Sequence, residues 1–267
     1  MEWGTVSTAN MMGMVFTLVV AIVLPIVLLI IVRRKTGARI SAFFIGCGIF
    51  IGFALILEQI LHVIVLSAAG SILQSNIFLY GLYGGLAAAL FEETGRLIAM
   101  KFFMKKSLNK GSALMYGVGH GGAEAIIIVG LSSVSNLISS MMINNGGIQA
   151  IMSLLEPSLQ EATYQQLQAL WELPAYQFYL GGVERISAIV LQICFSVLVY
   201  KAVKTENKKF WAAAFLLHFI VDFVTVVTAG IGIPMWAVEI EIMVITAIIA
   251  YYTVKIYNKS VDNPADS

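Results

Sequence analysis

The chain has 267 residues, of which 59% are hydrophobic and 12% are charged, and its formal net charge at pH 7 is +1. Its mean hydropathy of +0.89 is far above that of a soluble domain of this length. The composition predicts an all-α integral membrane protein. The net charge, which is close to zero, gives no sign of a nucleic-acid partner.

Seven apolar runs are each long enough to cross about 30 Å of hydrocarbon as a helix. They lie near residues 10–32, 40–68, 77–104, 112–143, 177–203, 210–230 and 233–257. The first run precedes its basic cluster, which predicts a retained span rather than a cleaved signal peptide. The expected fold is a polytopic transmembrane helix bundle of about seven spans, with eight as the alternative, in one integral membrane domain over residues 1–267.

Lysine and arginine residues predict the orientation of this bundle. Basic clusters follow the first, third, fifth and seventh runs, at residues 33–39, 101–110, 201–209 and 255–259. The connections 67–76 and 144–176 contain neither residue type. The positive-inside rule therefore predicts an N-terminus outside and a C-terminus in the cytoplasm.

The long outer connection, residues 144–176, is predicted to be amphipathic. Ser158 and Glu161 have the spacing of a capping box at the start of a helix, and Leu159, Leu170 and Trp171 give that helix an apolar side. We expect the helix to lie on the membrane face as a connector. A lid over a substrate entrance is the alternative.

Ionisable residues occur inside the apolar runs. Besides histidines, they include Glu92, Glu93, Arg96, Glu124 and Asp222. A charged residue at a helix centre costs about 2.5–3.5 kcal/mol, so five unpaired charges would cost on the order of 10–17 kcal/mol. An ordinary domain has a net stability of roughly 5–15 kcal/mol. These groups must therefore pair, change protonation or line a water-containing cavity.

Their positions predict one shared site. Counted from the basic clusters, Glu92, His120 and His218 each lie roughly 12–15 Å from the cytoplasmic edge. Glu124 and Asp222 follow the two histidines at i+4, one helical turn deeper and on the same helix faces. Three helices thus present polar groups at one depth, which favours a common site over scattered structural residues.

A glutamate mechanism is the first chemistry that fits. Arg96 has the spacing to neutralise either Glu92 or Glu93, which leaves the other carboxylate available as a general base. That base would deprotonate a water molecule, with a histidine orienting it. His218 and Asp222 would then stabilise the oxyanion of a peptide carbonyl.

A metal mechanism is the second. His120, Glu124, His218 and Asp222 could bind a divalent metal, with zinc as the candidate, and the metal would activate the water. The sequence lacks the HExxH motif. Metal binding is therefore allowed but not specified.

Three motifs in chain order carry a family resemblance. They are Glu92-Glu93-x-x-Arg96, Tyr116-x-x-x-His120 and His218-x-x-x-Asp222. Together they resemble the CAAX-protease and bacteriocin-processing superfamily of intramembrane peptidases. The form Glu-Glu-Thr-Gly-Arg with Gly-His-Gly-Gly-x-Glu is similar to the YhfC-type branch of membrane peptidases. The similarity extends from about Leu90 to Phe223.

The resemblance implies a glutamate-dependent endopeptidase of the bacterial plasma membrane that requires no cofactor. Its substrate would be a membrane-embedded or lipid-anchored peptide or protein, reached among membrane lipids. The resemblance implies that Glu92 is the water-activating base and that Glu93 and Arg96 are its structural partners. It implies that His120 positions the water. His218 and Asp222 would form the oxyanion-stabilising pair.

Two departures from the family pattern affect this assignment. The last motif of the superfamily more often ends in asparagine, and Asp222 could instead orient His218 or bind metal. The branch often carries a histidine where this chain has Gln192, so a third histidine ligand is missing here.

Two other function classes remain open from the sequence. Intramembrane histidine and carboxylate residues also form proton relays, so a proton-coupled transporter is one alternative, although no inverted repeat is apparent. A membrane scaffold that holds a partner helix is the other. Glu58 and His62 form a further i,i+4 pair, which the same count places near the outer surface as a structural pair.

Overall fold

The structure is a computed structural model and describes residues 2–259. Within these residues all regular structure is helical, which confirms the predicted all-α fold class. The α-helices are α1 (Thr8–Thr36), α2 (Ile40–Ile49), α3 (Gln59–Gln74), α4 (Ile77–Ile98), α5 (Lys110–Glu124), α6 (Leu131–Asn144), α7 (Ile148–Met152), α8 (Pro157–Glu172), α9 (Ala175–Thr205), α10 (Lys208–Gly230) and α11 (Met235–Lys259). Three π-helical segments continue α2, α4 and α5, at Phe50–Glu58, Ala99–Phe103 and Ala125–Gly130 respectively. Met1 and residues 260–267, which belong to the predicted domain, lie outside the described residues.

A helix occupies each of the seven predicted intervals. In the described part of the chain, six helical stretches are long and apolar enough to cross a membrane, namely Thr8–Thr36, Ile40–Gln74, Lys110–Asn144, Ala175–Thr205, Lys208–Gly230 and Met235–Lys259. Helix α4 is not among them, because Glu92, Glu93 and Arg96 lower the hydropathy of its second half. The number of spans and their orientation stay predictions.

Large apolar side chains cover much of the outer surface of these helices. Phe44 is 65% exposed and Val63 is 68% exposed, and many leucine, isoleucine and valine residues are similarly exposed. An apolar surface of this extent is suited to lipid acyl chains and would be unfavourable in water. The protein is therefore an integral membrane protein.

The described residues form two compact units, and the first contains the segment that ends at Val23 together with Ala125–Arg185. Asn10 Nδ2 donates to the main-chain oxygens of Leu170, at 2.9 Å, and Leu173, at 3.0 Å. Leu170 is buried in a cluster with Val6 and Met14. The apolar side of α8 that was expected to face the membrane thus packs partly in the core of its own unit.

The predicted capping box is wrong. Helix α8 begins at Pro157, with Glu156 as the N-cap residue, and no side chain caps it. Proline is favoured at the first helical position because its fixed φ suits a helix and its missing N–H has no intrahelical acceptor there. Ser158 therefore lies inside the first turn, where its hydroxyl cannot act as the cap.

The second unit comprises Leu24–Glu124 and the segment from Ile186 onwards. Here α5 packs backbone to backbone against α2, since a Cβ on Gly119 would lie 2.7 Å from the carbonyl carbon of Phe43. Helix α10 approaches α4 in the same way, since a Cβ on Gly85 would lie 3.0 Å from the Phe219 oxygen. The contact at Gly119 requires glycine, and the contact at Gly85 is tighter than ordinary van der Waals contact. They place the helices of His120 and His218 close to their neighbours.

Candidate active site

Helix α4 carries a buried acidic pair and its counter-ion. Glu93 and Arg96 are fully buried, and Glu92 is 7% exposed. Arg96 Nε donates to Glu93 Oε2 at 3.0 Å. The i,i+3 spacing predicted from the sequence therefore pairs Arg96 with Glu93, and Glu92 lies outside this ion pair.

His120 on α5 contacts Glu92 directly. Its Nε2 lies 2.9 Å from Glu92 Oε2, and its side chain is completely buried. His120 Nδ1 has no hydrogen-bond partner among the described residues. Of the two neutral tautomers, the one with the proton on Nε2 satisfies the observed contact and leaves only an acceptor unpaired on Nδ1.

His218 on α10 joins both glutamates. Its Nδ1 lies 2.9 Å from Glu93 Oε1, and its Nε2 lies 3.4 Å from Asp222 Oδ2 and 3.9 Å from Glu92 Oε2. The ring stacks on Phe195 with centroids 4.9 Å apart. Because Glu93 accepts a hydrogen bond from Nδ1, the other ring nitrogen faces Glu92 and Asp222.

Gln192 on α9 is a central member that the sequence analysis treated only as a missing histidine. Its Nε2 donates to Glu92 Oε2 at 2.9 Å and to Glu124 Oε2 at 3.1 Å. Its Oε1 accepts a hydrogen bond from Arg96 Nη2. A signal was present in the sequence, since Gln192 and Ser196 are polar residues with i,i+4 spacing within the apolar stretch 188–199.

Arg96 fixes the orientation of this amide. Its Nη1 donates to the main-chain oxygen of Gln192 at 2.8 Å and to Ser196 Oγ at 2.5 Å. Arg96 Nη2 donates to Gln192 Oε1, and a guanidinium can only donate, so the oxygen end of the amide must face Arg96. The nitrogen end must then point at Glu92 and Glu124.

The structure brings together all the sequence-predicted site residues, although they are linked in a different way from the one expected. Glu124 reaches the cluster through Gln192, whose Nε2 donates to both Glu124 and Glu92. Carboxyl groups outnumber the one guanidinium among these residues. Charge balance in a low dielectric therefore requires protons on the histidines or carboxyl groups, or a bound cation.

Glu58 belongs to the same polar region, which corrects the position near the outer surface that the residue count gave. His62 Nε2 lies 3.2 Å from Glu58 Oε1, and His62 Nδ1 lies 2.7 Å from Tyr83 Oη. The π-helical segment that ends at the buried Glu58 packs against α4 beside Glu92 and Glu93, since a Cβ on Gly95 would lie 2.7 Å from Phe53 Cγ. The π-helical turns that precede Glu58 wind more residues into each turn than an α-helix does. A count at 1.5 Å per residue therefore overestimates its depth.

The donor types fit a divalent metal, but the described side chains do not form a closed metal site. Imidazole nitrogen and carboxylate oxygen are zinc ligands, and His120, His218 and Asp222 offer both around Glu92. The His218–Glu93 contact is also the kind that orients a metal-binding imidazole. However, no group of three or more His, Cys, Asp or Glu side chains in the described residues is placed to hold a metal ion.

Comparisons with known proteins point to one family. A family model described as YhfC intramembrane metalloprotease matches residues 20–244, which include every residue of the cluster. The chain is 40% identical over 240 residues to the "Uncharacterized membrane protein YhfC" of Bacillus subtilis (strain 168), and the match covers 88% of this chain and 92% of that protein. No solved structure matches.

Proposed function

The chain belongs to the YhfC intramembrane metalloprotease family, and from this premise we propose that it hydrolyses a peptide bond of a membrane-associated substrate with Glu92 as the base. The observation that carries the proposal is the environment of Glu92 Oε2, which His120 Nε2 and Gln192 Nε2 each approach to 2.9 Å. Two donors on one oxygen stabilise the ionised carboxylate and fix its direction. An oriented, ionised carboxylate is what a general base requires.

The geometry around His218 supports a position for the attacking water. His218 Nε2 is 3.9 Å from Glu92 Oε2, too far for a direct hydrogen bond but close enough for one water molecule to bridge. Glu92 would take a proton from this water as its oxygen attacks the peptide carbonyl carbon. The same proton would pass to the nitrogen of the leaving amine when the C–N bond breaks.

The developing oxyanion would be stabilised by His218 in its protonated form. Glu93 accepts from its Nδ1 and Asp222 lies beside its Nε2, so two carboxyl groups hold the ring at a fixed angle. Arg96 neutralises Glu93 and keeps it in place. Glu93 and Arg96 are therefore positioning residues, whereas Glu92 and His218 face the reacting atoms.

A metal-dependent form of the same reaction is the second candidate. The excess of carboxyl groups and the Glu93–His218 contact favour it, as does the family description. His120, His218 and Asp222 would hold the ion, and Glu124 would be joined to them through its hydrogen bond from Gln192. A bound zinc ion would supply Lewis-acid activation of water. In the Nε2-protonated tautomer, His120 could bind the ion only through Nδ1, the ring nitrogen that does not contact Glu92.

The test is cleavage by purified protein in proteoliposomes, with solubilised Bacillus subtilis membrane proteins as substrate and new peptide N-termini read by mass spectrometry. We expect Glu92→Gln to abolish the new N-termini. Glu239→Gln, which changes a buried glutamate of α11, is the matched control and should retain them. Cleavage that survives Glu92→Gln would refute the proposal.

A chelator and a metal assay separate the two mechanisms. Under the glutamate form, 1,10-phenanthroline should leave the rate unchanged and the purified protein should contain no stoichiometric zinc. Loss of activity with the chelator, restored by zinc, would favour the metal form. Stable capture of an uncleaved membrane protein by both wild type and Glu92→Gln would instead favour a scaffold, and proton-driven uptake into the proteoliposomes would favour a transporter.

A further inference from the structure

A cavity lies away from the proposed catalytic side chains, in the second compact unit. It has a volume of about 800 Å³ and lies between the end of α4, with its π-helical extension, and the junction of α9 and α10. A volume of this order is typical of ligand pockets, roughly 300–1,000 Å³. The lining residues that matter for its chemistry are Lys101, Lys105, Lys208, Leu97, Val203 and Trp211.

The charge of this cavity is positive. Three lysines line it and one acidic residue, Glu206, opposes them. All three lysines are exposed, so their ammonium groups can reach a ligand in the cavity. A lysine ammonium acts as a point charge that suits a phosphate.

The rest of the cavity is apolar and continues onto an apolar surface. Leu97, Val203 and Trp211 supply apolar wall. Phe102, which also lines the cavity, is 64% exposed, and its neighbour Phe103 is 66% exposed. A ligand that fills this space therefore needs an anionic group and an apolar portion side by side.

The position of the lysines identifies the source of such a ligand. Lys101 follows the last turn of α4, and Lys208 is the first residue of α10, so both lie where apolar helices end. Basic residues at this level face the anionic head groups of a bilayer. An acidic peptide would satisfy the charge but not the adjacent aromatic surface.

We propose that the cavity bounded by Lys101, Lys105 and Lys208 binds an anionic phospholipid, with the phosphate on the lysines and the acyl chains on Phe102 and Phe103. This binding site is independent of the peptidase reaction. It has a structural link to the cluster, because Trp211 lines the cavity and its Nε1 donates to the main-chain oxygen of Glu93 at 3.1 Å. A bound lipid would hold Trp211 in that contact.

The experiment measures lipid binding to the full chain by native mass spectrometry from detergent micelles. Dioleoylphosphatidylglycerol is the probe, and dioleoylphosphatidylcholine is the neutral comparison. We expect phosphatidylglycerol to bind at least tenfold more tightly. Replacing Lys101, Lys105 and Lys208 together by glutamine should weaken it about 100-fold, since a lysine near an anionic surface contributes roughly fivefold.

Controls of matched charge make the result specific. Arg33, Lys255 and Lys259, replaced together by glutamine, lose the same charge at other helix ends and should leave phosphatidylglycerol affinity within twofold of wild type. Glu206→Gln removes the acidic lining residue and should strengthen binding about fivefold. This opposite sign keeps the test informative if the triple lysine variant fails to fold.

Several outcomes would overturn the proposal. They are equal affinity for the two lipids, equal losses in the two triple variants, and no gain in Glu206→Gln. Displacement of the lipid by inorganic phosphate alone would indicate a phosphate site, and displacement by a polyglutamate peptide would indicate a protein partner. The cleavage assay with Glu92→Gln does not depend on lipid binding to this cavity. A negative result in one assay would therefore refute only the proposal that the assay tests.

Discussion

Replacing Gln192 by leucine removes the amide that joins the acidic groups of the cluster. The change keeps the size of the side chain and deletes the hydrogen bonds to Glu92, at 2.9 Å, to Glu124, at 3.1 Å, and from Arg96. Hydrogen bonds between uncharged groups of membrane helices are worth about 0.6 kcal/mol on average. Bonds to charged groups are worth about 1.5–3 kcal/mol each, and all three partners here are ionisable.

We therefore expect Gln192→Leu to lower the free energy of unfolding by about 4.5 kcal/mol, which is three bonds at the lower bound of about 1.5 kcal/mol each. Unfolding of the purified protein in lipid bicelles, followed by circular dichroism against denaturant, measures this loss. Leu191→Met, a buried apolar neighbour, is the matched control and should cost less than about 1.5 kcal/mol. If Gln192→Leu were as stable as this control, the amide would not hold the carboxylates as described. In the cleavage assay the same variant should also lose at least about tenfold in rate, because 1.4 kcal/mol of lost orientation corresponds to that factor.

Three further changes test other parts of the structure by thermal unfolding. Glu206 has a φ of 54°, so Glu206→Gly should stabilise the protein by about 0.5–1 kcal/mol, and a fall in melting temperature would contradict the strain. Gly119→Ala should destabilise the protein by about 3 kcal/mol, since the new Cβ would meet Phe43. Gly48→Ala is the control and should be neutral, because its Cβ would meet nothing within 4 Å. Equal effects of the two changes would argue against the close approach of α5 to α2. Arg96→Leu leaves a buried carboxylate without its counter-ion and should cost about 3–5 kcal/mol, whereas a cost under about 1 kcal/mol would show that the pair is not buried as described.

The helices could be predicted because lipid allows few alternatives. A backbone that crosses hydrocarbon must satisfy its polar groups internally, so a long apolar run becomes a helix. A helix occurs in each predicted interval for this reason. The π-helical segments were not predicted, since Phe50–Glu58 contains no residue pattern that separates it from the α-helices on either side.

The site could be predicted where charge made it conspicuous. Glu92, His120 and His218 are costly in lipid, and counting from the basic clusters gave them one depth. Gln192 is uncharged and contacts Glu92 across 100 positions of sequence, so its i,i+4 spacing with Ser196 marks a polar helix face but does not identify its partner. The partner of each carboxyl group also depended on helix rotation, which hydropathy does not define.

The close packing of α5 has a consequence for how this protein tolerates mutation. Gly117 and Gly121 lie against α9 as Gly119 lies against α2, so the helix that carries His120 is held by residues without side chains. A saturation mutagenesis screen would therefore find its least tolerant positions partly at residues with no functional group. The tolerance profile alone would not distinguish glycines needed for packing from residues needed for the reaction. Chemical rescue of Glu92 or His120 variants would separate the two groups.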